Sequence, residues 1–488
     1  SFHLSLINQL NENFLKDLGG EGRRMIIFTD LGSGYLENIQ NHLMKDGDTK
    51  VIVLDHHQSE GEVRSKNLLH VNSEDFGITE HISGSGIAYL LARAMNPDNR
   101  DLSELGIIGA IGDSQIGSIG ESWGLLGLNK EILKDAELSR KIRVKKGLRL
   151  WGRYTRPVHK TLQYSVDPYI PGISGSESAS VQFLQELGIE LKDKERWRTL
   201  ADLTEEENKK LASGIIAERI RGKHMNPEWI FGDTYELLDK KGELRDANEF
   251  ATILNACGKM GKAYMGIAFC LNDADHSEAR NILNSYRREI GKAMAWVYKN
   301  TNSIKRTDNA FYLFGGSSIS EHVISNVVSI INKSCLDLDG VANDVCEKPI
   351  FAFADTEEGD VKVSARVSDS LVERGVDLKD IMVRVTMDIG GEGGGHKGAA
   401  GARIEKDHED RFISSVEKIL VKKDLNKTEQ KTQIDIHNSE RGERYGTAES
   451  ERIRTQREGE ERGEGEAKET GEGSEEVEGK GLVRYFDS

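Results

Sequence analysis

The sequence has little cysteine and no long apolar run. Its four cysteines stand apart among 488 residues, without a C-x-x-C pair. This spacing argues against a cysteine zinc site or a disulfide framework, and it fits a reducing compartment. No stretch approaches the roughly 18 apolar residues of a membrane-spanning helix, and the first residues lack the apolar segment of a signal peptide. We therefore expect a cytoplasmic protein with no membrane contact.

Basic residues are also fewer than acidic residues, 66 against 82. The net charge of −16 argues against a uniformly basic protein that coats nucleic acid, although an acidic body can still carry a local basic groove. Residues 440–480 consist almost wholly of Glu, Arg, Gly, Ser and Thr. Because so little apolar surface cannot offset the entropy of ordering, we predict a disordered acidic tail over 426–488.

Two short apolar segments each end in an acid. Residues 25–29 lead into Asp30, and residues 51–54 lead into Asp55, His56 and His57. A helix-like segment lies between them, so the pattern predicts a strand, a helix and a parallel strand. Because ligands gather at the carboxyl ends of parallel strands, we expect these four polar side chains to be neighbours.

A third apolar segment, residues 105–112, ends in Asp113. A polar cluster at a strand end has an ordinary explanation, since strands often end where they reach solvent. Three such endings favour a functional site, because Mn²⁺ and Mg²⁺ prefer carboxylate ligands and tolerate imidazole. A site of acids and histidines without cysteine indicates metal-dependent hydrolysis.

The whole chain predicts an α/β protein of two folded domains joined by a helical region. We expect a first domain with a parallel sheet over 1–170, a largely helical middle region over 171–305, and a second α/β domain over 306–425. Helices in the middle region are predicted near four ranges: 178–187, 204–222, 245–258 and 275–297.

A glycine-rich segment near the end of the second domain contains Gly394, Gly395 and His396. The ordinary interpretation of such a segment is a mobile loop. However, His396, the adjacent lysine and Arg366 on a preceding predicted strand suit a pocket in which backbone amides and cations hold phosphates.

A basic stretch with aromatic residues covers 140–164. It could line a groove for single-stranded nucleic acid, with Trp151 or Tyr154 stacking on bases. The alternative is a solvated helix face with a few core aromatics. The sequence leaves both open.

Together these motifs resemble the DHH phosphoesterase superfamily. The resemblance rests on residues 28–32, on Asp55, His56 and His57, on Asp113, and on the segment 394–396, in that order along the chain. It covers about residues 1–425. Within the superfamily, the archaeal RecJ-like single-strand exonucleases are the most similar, and their second domain is the one usually associated with DHH.

The resemblance implies a role for each site residue. Asp30 would bridge two Mn²⁺ or Mg²⁺ ions, and His56 and Asp113 would bind one of them. Asp55 would orient a neighbouring imidazole, and His57 would contact the scissile phosphate or lie beside the metals.

The same resemblance assigns substrate contact to the second domain. Arg366, Gly394, Gly395 and His396 would hold the nucleic-acid backbone, in a cleft between the DHH domain and the second domain.

One family element is absent from this sequence. Members carry an upstream strand that ends in Asp-x-Asp and supplies further metal ligands, and residues 1–24 contain no such pair. The chain begins with Ser1, so we expect a processed product or a fragment. This polypeptide alone is therefore predicted to be weakly active or inactive.

The last residues of the tail differ from the rest. Leu482, Tyr485 and Phe486 resemble a sliding-clamp-binding peptide, except that Gly479 replaces the expected glutamine. A long tether that ends in an apolar anchor suits docking on a replication clamp. The alternative is a chance cluster.

The predicted function is metal-dependent exonuclease activity on single-stranded DNA, and also on RNA in one variant of the hypothesis, in replication or repair. A second hypothesis is a non-catalytic replisome subunit associated with the GINS complex, as the eukaryotic helicase cofactor of the superfamily is non-catalytic. A third is a phosphoesterase for pyrophosphate or other small substrates.

Overall fold

A computed structural model shows a mixed α/β protein. It describes residues 3–7, 10–45, 47–59, 61, 63–77, 81–119, 122–165, 168–222, 227–272, 276–334 and 347–421. The chain divides into two compact units, which are Ser1–Thr301 with Ser318–Ala342, and Asn302–Ser317 with Asn343–Ser488. Among the described helices, none has the length and apolar character needed to cross a membrane.

The first unit begins with a small parallel sheet between helices. Its first elements are α1 (Glu12–Gly20), β1 (Met25–Thr29), α2 (Leu36–Leu43), β2 (Lys50–Asp55), β3 (Leu68–Asn72), α3 (Gly84–Met95) and α4 (Ser103–Gly112). The strand order is β1-β2-β3, and both pairings are parallel. The predicted strand, helix and parallel strand over residues 25–55 are confirmed.

The central strand β2 is apolar because it is covered on both faces. Val51 and Val53 belong to a buried cluster with residues of α1 and α2, whereas Leu54 belongs to a second cluster with Ile87 of α3. The polar residues that follow Leu54 therefore lie where the apolar cover ends.

The remainder of the first unit is mostly helical. It contains β4 (Ile116–Ile119), β5 (Ser122–Leu125), α5 (Asn129–Leu138), β6 (Ile142–Leu148), α6 (Val158–Gln163), α7 (Glu177–Glu186), β7 (Lys192–Asp193), β8 (Arg196–Trp197), α8 (Glu205–Arg221), β9 (Phe231–Leu237), α9 (Ala247–Lys259), α10 (Ala263–Cys270) and α11 (His276–Lys299). The four helices predicted from periodicity correspond to α7, α8, α9 and α11. A four-stranded sheet of order β4-β5-β9-β6 was not predicted.

The second unit is built on a six-stranded sheet. The last elements in the chain are β10 (Ile304–Arg306), β11 (Phe311–Gly316), α12 (Ile324–Ser334), β12 (Ile350–Asp355), β13 (Val361–Arg366), α13 (Asp369–Glu373), α14 (Leu378–Ile389), β14 (Glu392–Gly395), β15 (Ala399–Ile404) and a helix over 409–421. Helix α12 belongs to the first unit. The strand order is β10-β11-β12-β13-β15-β14.

The core of the second unit is aromatic. Tyr312 stacks on Phe351 at 5.5 Å between ring centroids, and Phe412 of the last helix meets Phe353 edge-on at 5.6 Å. Apolar residues of α14 complete the same cluster. The expected second α/β domain is therefore confirmed, whereas the predicted tail over 426–488 lies outside the described residues.

Candidate metal centre

The carboxyl ends of β1 and β2 bring the predicted acids and histidines together. Thr29 pairs with Leu54 in the parallel register, and the Asp30 amide donates to the Leu54 carbonyl at 2.8 Å. His56 Nε2 lies 3.2 Å from Asp30 Oδ1. Ligand atoms of Asp30, His56 and His57 all lie within 4.8 Å of one another. Parallel strands thus create this cluster as their shared edge predicts.

Asp30 reaches the cluster through an unusual backbone. Its φ is 66°, in the left-handed region that few residues other than glycine adopt. The N-terminal end of α3 lies against its side chain, since a Cβ built on Gly84 would stand 2.3 Å from Asp30 Oδ1. The absence of a side chain at Gly84 therefore provides the room that the Asp30 carboxylate occupies.

Asp113 comes from a helix and not from a strand. The third apolar segment forms α4, and Asp113 is its C-terminal cap. Its Oδ2 lies 3.6 Å from His56 Nε2. A buried apolar run of this length suits either a strand or a helix. The sequence therefore predicted Asp113 as a site residue but not the secondary structure before it.

A buried amide network fixes Asp113. Gln115 Nε2 donates to Asp113 Oδ2 at 2.8 Å and to the Ile82 carbonyl at 3.0 Å, while its Oε1 accepts from Asn129 Nδ2 at 2.7 Å. Every hydrogen-bonding group of the Gln115 side chain is thereby satisfied. The hydrogen bond from Gln115 therefore fixes the orientation of the Asp113 carboxylate beside His56.

Asp55 is the most buried member of the cluster, with 1% of its surface exposed. Its Oδ1 accepts from the amides of His56 and His57 and from His57 Nδ1, the last at 2.7 Å, and its Oδ2 accepts from the Ser33 amide at 2.9 Å. Burial would raise the pKa of Asp55, but the hydrogen bonds from His57 and Ser33 outweigh it and lower the pKa to about 2.

Asp55 in turn fixes His57. Their hydrogen bond, opposed by partial burial, raises the pKa of His57 above its ordinary value. With Nδ1 donating to Asp55, only Nε2 of His57 can serve as a ligand atom. The geometry suits the predicted role of Asp55 as the group that orients an imidazole.

The cluster fits a divalent cation. The His56 side chain is 8% exposed, and its buried Nε2 has no hydrogen bond among the described residues, although it stands between two carboxylate oxygens. A buried nitrogen of this kind needs a partner, and a cation would supply it while neutralising both acids. Asp30, His56 and Asp113 would hold the ion with oxygen and imidazole ligands suited to Mn²⁺ or Mg²⁺.

The predicted substrate residues lie together in the second unit. Arg366, the last residue of β13, pairs with Ala399, and the Ala399 carbonyl accepts from the His396 amide at 2.8 Å. Gly394 and Gly395 belong to β14, so the glycine-rich segment is a hairpin with β15. Burial lowers the pKa of Arg366. The structure thus brings these four residues to one end of the sheet.

The basic stretch over 140–164 contains an edge strand, β6, and the short helix α6, so the interpretation as a helix face applies only to its last part. Several of its cations are paired with carboxylates: Lys141 with Asp239 at 2.7 Å, and Arg143 with Glu236 at 3.4 Å. Trp151 and Tyr164 are exposed. A nucleic-acid groove here stays a prediction.

The proposed clamp peptide, Leu482, Tyr485 and Phe486, lies outside the described residues.

Sequence reasoning missed the residues that support the ligands. Ser33, Gln115 and Asn129 are small or amide residues without periodic pattern, and Asn255 of α9 donates to the carbonyl of Gly112 at 3.1 Å, next to Asp113. The only available signal for Ser33 and Gln115 was their position within three residues of a predicted acid.

Comparisons with known proteins agree with the motifs. Residues 150–227 match the model of the DHH-CID domain, and residues 308–422 match that of the DHHA1 domain. An uncharacterized protein of Methanocaldococcus jannaschii is 31% identical over 428 residues, which cover 86% of each chain.

Solved structures are similar at lower identity. CDC45 from Entamoeba histolytica has a TM-score of 0.52 at 12% identity, with 84% of this chain and 88% of that chain covered, which shows a shared fold. RecJ from Thermus thermophilus, solved with Mn²⁺, has a TM-score of 0.47 at 17% identity, with 84% of this chain covered. This chain spans 47% of that RecJ. On the family evidence, this chain belongs to the DHH superfamily, with a DHH-CID domain and a DHHA1 domain.

Proposed function

We propose that the protein hydrolyses phosphodiester bonds in single-stranded nucleic acid, with Mn²⁺ or Mg²⁺ as cofactor. The observation that carries the proposal is the buried His56 Nε2 between the carboxylates of Asp30 and Asp113. This nitrogen lies within ion-pair distance of both acids but makes no hydrogen bond among the described residues. An imidazole and two carboxylates in this arrangement support a cation site.

Each side chain has a defined task in this proposal. Asp30, His56 and Asp113 hold the ion. His57, oriented by Asp55, presents Nε2 to the scissile phosphate. When bound, the divalent ion neutralises phosphate charge and acidifies a water molecule. Because Asp30 is 63% exposed, the site is open enough to receive a polymeric substrate.

The second unit would hold the nucleic-acid backbone. Arg366 and His396 supply donors, and Gly394 and Gly395 leave the strand without side chains, so a phosphate can approach the main chain. This arrangement favours recognition of the backbone over recognition of bases. DNA is the proposed substrate, with RNA as the alternative.

A titration of purified protein with Mn²⁺, using end-labelled single strands, tests the proposal. Because the upstream ligands are absent, we expect weak Mn²⁺-dependent cleavage that Asp30→Asn abolishes, with Asp98→Asn in the 3-10 helix Pro97–Leu102 as the matched control. Single strands that stay intact while the protein binds Mn²⁺ would contradict nuclease activity. Pyrophosphate or dinucleotides cleaved in preference to single strands would identify the small-substrate alternative.

The second candidate is a non-catalytic subunit that binds GINS in a replication complex. It is favoured by the limited ligand set, because the described residues place ligand atoms for about one ion at this site. It makes the opposite prediction: GINS would bind wild type and Asp30→Asn equally, and no Mn²⁺ concentration would produce cleavage.

A further inference from the structure

Beside the metal centre, a chain of hydrogen bonds runs from the protein surface to Asp55. We propose that Ser33, His70 and Asp75 are positioning residues that hold the loop after Asp30 and the pair of Asp55 and His57 in ligand geometry. The inference rests on the proposed function in one respect: it takes the cluster around Asp30 and His57 to be a metal centre.

The chain of contacts is continuous. Ser33 donates its amide to Asp55 Oδ2 at 2.9 Å, and its Oγ lies 2.9 Å from His70 Nε2. His70 Nδ1 lies 2.8 Å from Asp75 Oδ2. Ser33 is fully buried, His70 is largely buried, and Asp75 reaches solvent. The link therefore joins an exposed acid to the carboxylate that orients His57.

Asn72 constrains the hydrogen bonds around Ser33. Its Nδ2 donates to Ser33 Oγ at 2.9 Å and to the His57 carbonyl at 2.7 Å, and its Oδ1 accepts from the Glu74 amide at 3.0 Å. Ser33 Oγ accepts from Asn72 Nδ2, and among the described residues its own proton has His70 Nε2 as its acceptor. This arrangement favours an unprotonated Nε2, with the ring proton on Nδ1 donated to Asp75. His70 is thereby held in one orientation, with Nδ1 toward Asp75 and Nε2 toward Ser33.

The chain also joins all three strands and the strained loop. Ser33 follows Asp30, whose φ is 66°, and Gly32, whose φ is 122°. His70 lies in β3 opposite Val53 of β2. A backbone in the left-handed region persists only where its surroundings fix it. Ser33 fixes this loop from both its amide and its hydroxyl, so Asp30 and His57 depend on the same link.

Nuclear magnetic resonance of the full chain with isotope-labelled histidine tests the proposal without any metal. In the wild type we expect His70 protonated on Nδ1 alone, and a hydrogen-bonded Nδ1 proton on His57. Ser33→Ala and His70→Ala should weaken or remove that His57 signal, and Asp75→Ala should let His70 exchange between tautomers. His70→Gln, which can still accept from Ser33, should restore much of the His57 signal.

His42→Ala is the matched control. His42 is similarly buried and has its own carboxylate partner, Glu12, at 3.3 Å, but it lies on α2 away from the site. We expect it to leave the His57 signal unchanged. In the same samples, Mn²⁺ affinity should fall about 10-fold to 100-fold in Ser33→Ala and His70→Ala, the usual range for partners of metal ligands, and stay constant in His42→Ala.

Two results would overturn the proposal: a His70 proton on Nε2 in the wild type, or a His57 signal in Ser33→Ala and His70→Ala that matches the wild type. Because hydrolysis is not measured, a protein that cleaves nothing would contradict the proposed nuclease and leave this result standing.

Discussion

The two candidate binding regions are built in opposite ways. At the metal centre the chemistry lies in side chains, and each is held: Asp55 accepts four hydrogen bonds, and Gln115 clamps Asp113. At the glycine-rich hairpin the chemistry lies in the main chain, with Gly394 and Gly395 in β14, and β15 separates them from Arg366 in β13. A metal needs ligands that are fixed in advance, whereas a flexible phosphate backbone needs space and amides.

Removal of one ligand residue should reduce Mn²⁺ affinity at the metal centre more than any other change. We expect His56→Ala to lower Mn²⁺ affinity more than about 100-fold, since loss of a ligand exceeds the effect of losing its partner. Isothermal titration with Mn²⁺ measures the change. His322→Ala, at an exposed histidine, is the control. Equal affinity in the two variants would remove His56 from the metal site.

The stability of the protein around the metal centre should depend on the charge of Asp55. Its folded pKa of about 2 lies below the unfolded value of 3.8, so ionised Asp55 contributes stability above pH 4 that is lost as the pH falls toward 2. We expect Asp55→Asn to lower the free energy of unfolding by about 2 kcal/mol at pH 7, with a smaller difference at pH 3. Urea unfolding at both pH values measures it. A difference independent of pH would contradict the assigned ionisation.

The stability of the glycine-rich hairpin should depend on the space around its main chain instead. Gly395 has a φ of 130°, and a Cβ there would stand 2.6 Å from the Ala400 Cα. We expect Gly395→Ala to destabilise the protein by about 1.5 kcal/mol, with unchanged Mn²⁺ affinity. Gly394→Ala is the matched control, because nothing lies within 4 Å of its Cβ position. Thermal unfolding should separate the two, and equal melting temperatures would count against the strain.

The smallest expected effect is that of Arg366. Arg366→Ala should weaken single-strand binding less than about tenfold and reduce the slope of log affinity against log salt by about 0.7, as for one lost phosphate contact. Fluorescence anisotropy at several salt concentrations measures both, with Arg411→Ala as the control. An unchanged slope would argue that Arg366 contacts no phosphate.

The fold was predictable where apolar periodicity carries the information. Strands β1 and β2, and helices α7, α8, α9 and α11, follow from spacing alone, because each buries one apolar face or run. The segment before Asp113 could not be assigned, since an apolar run buried all round suits both a strand and a helix. Strand β6 was missed because its alternating cations find carboxylate partners on neighbouring elements, which no local pattern reveals.

For the site, sequence reasoning identified acids and histidines, and the structure brings Asp30, His56, His57 and Asp113 together. It did not identify Ser33, Gln115 or Asn72, whose importance comes only from what they contact across the fold. Small polar residues are common in loops, so their type carries little information without a structure.

The contact between Gly84 and Asp30 has a further consequence. A methyl group at position 84 would occupy the volume of the Asp30 carboxylate while every ligand stays in the sequence. Gly84→Ala would therefore keep the charge of the protein and every proposed site residue but displace the Asp30 carboxylate from its place in the cluster. Under the proposed function, such a variant would bind single-stranded nucleic acid without cleaving it.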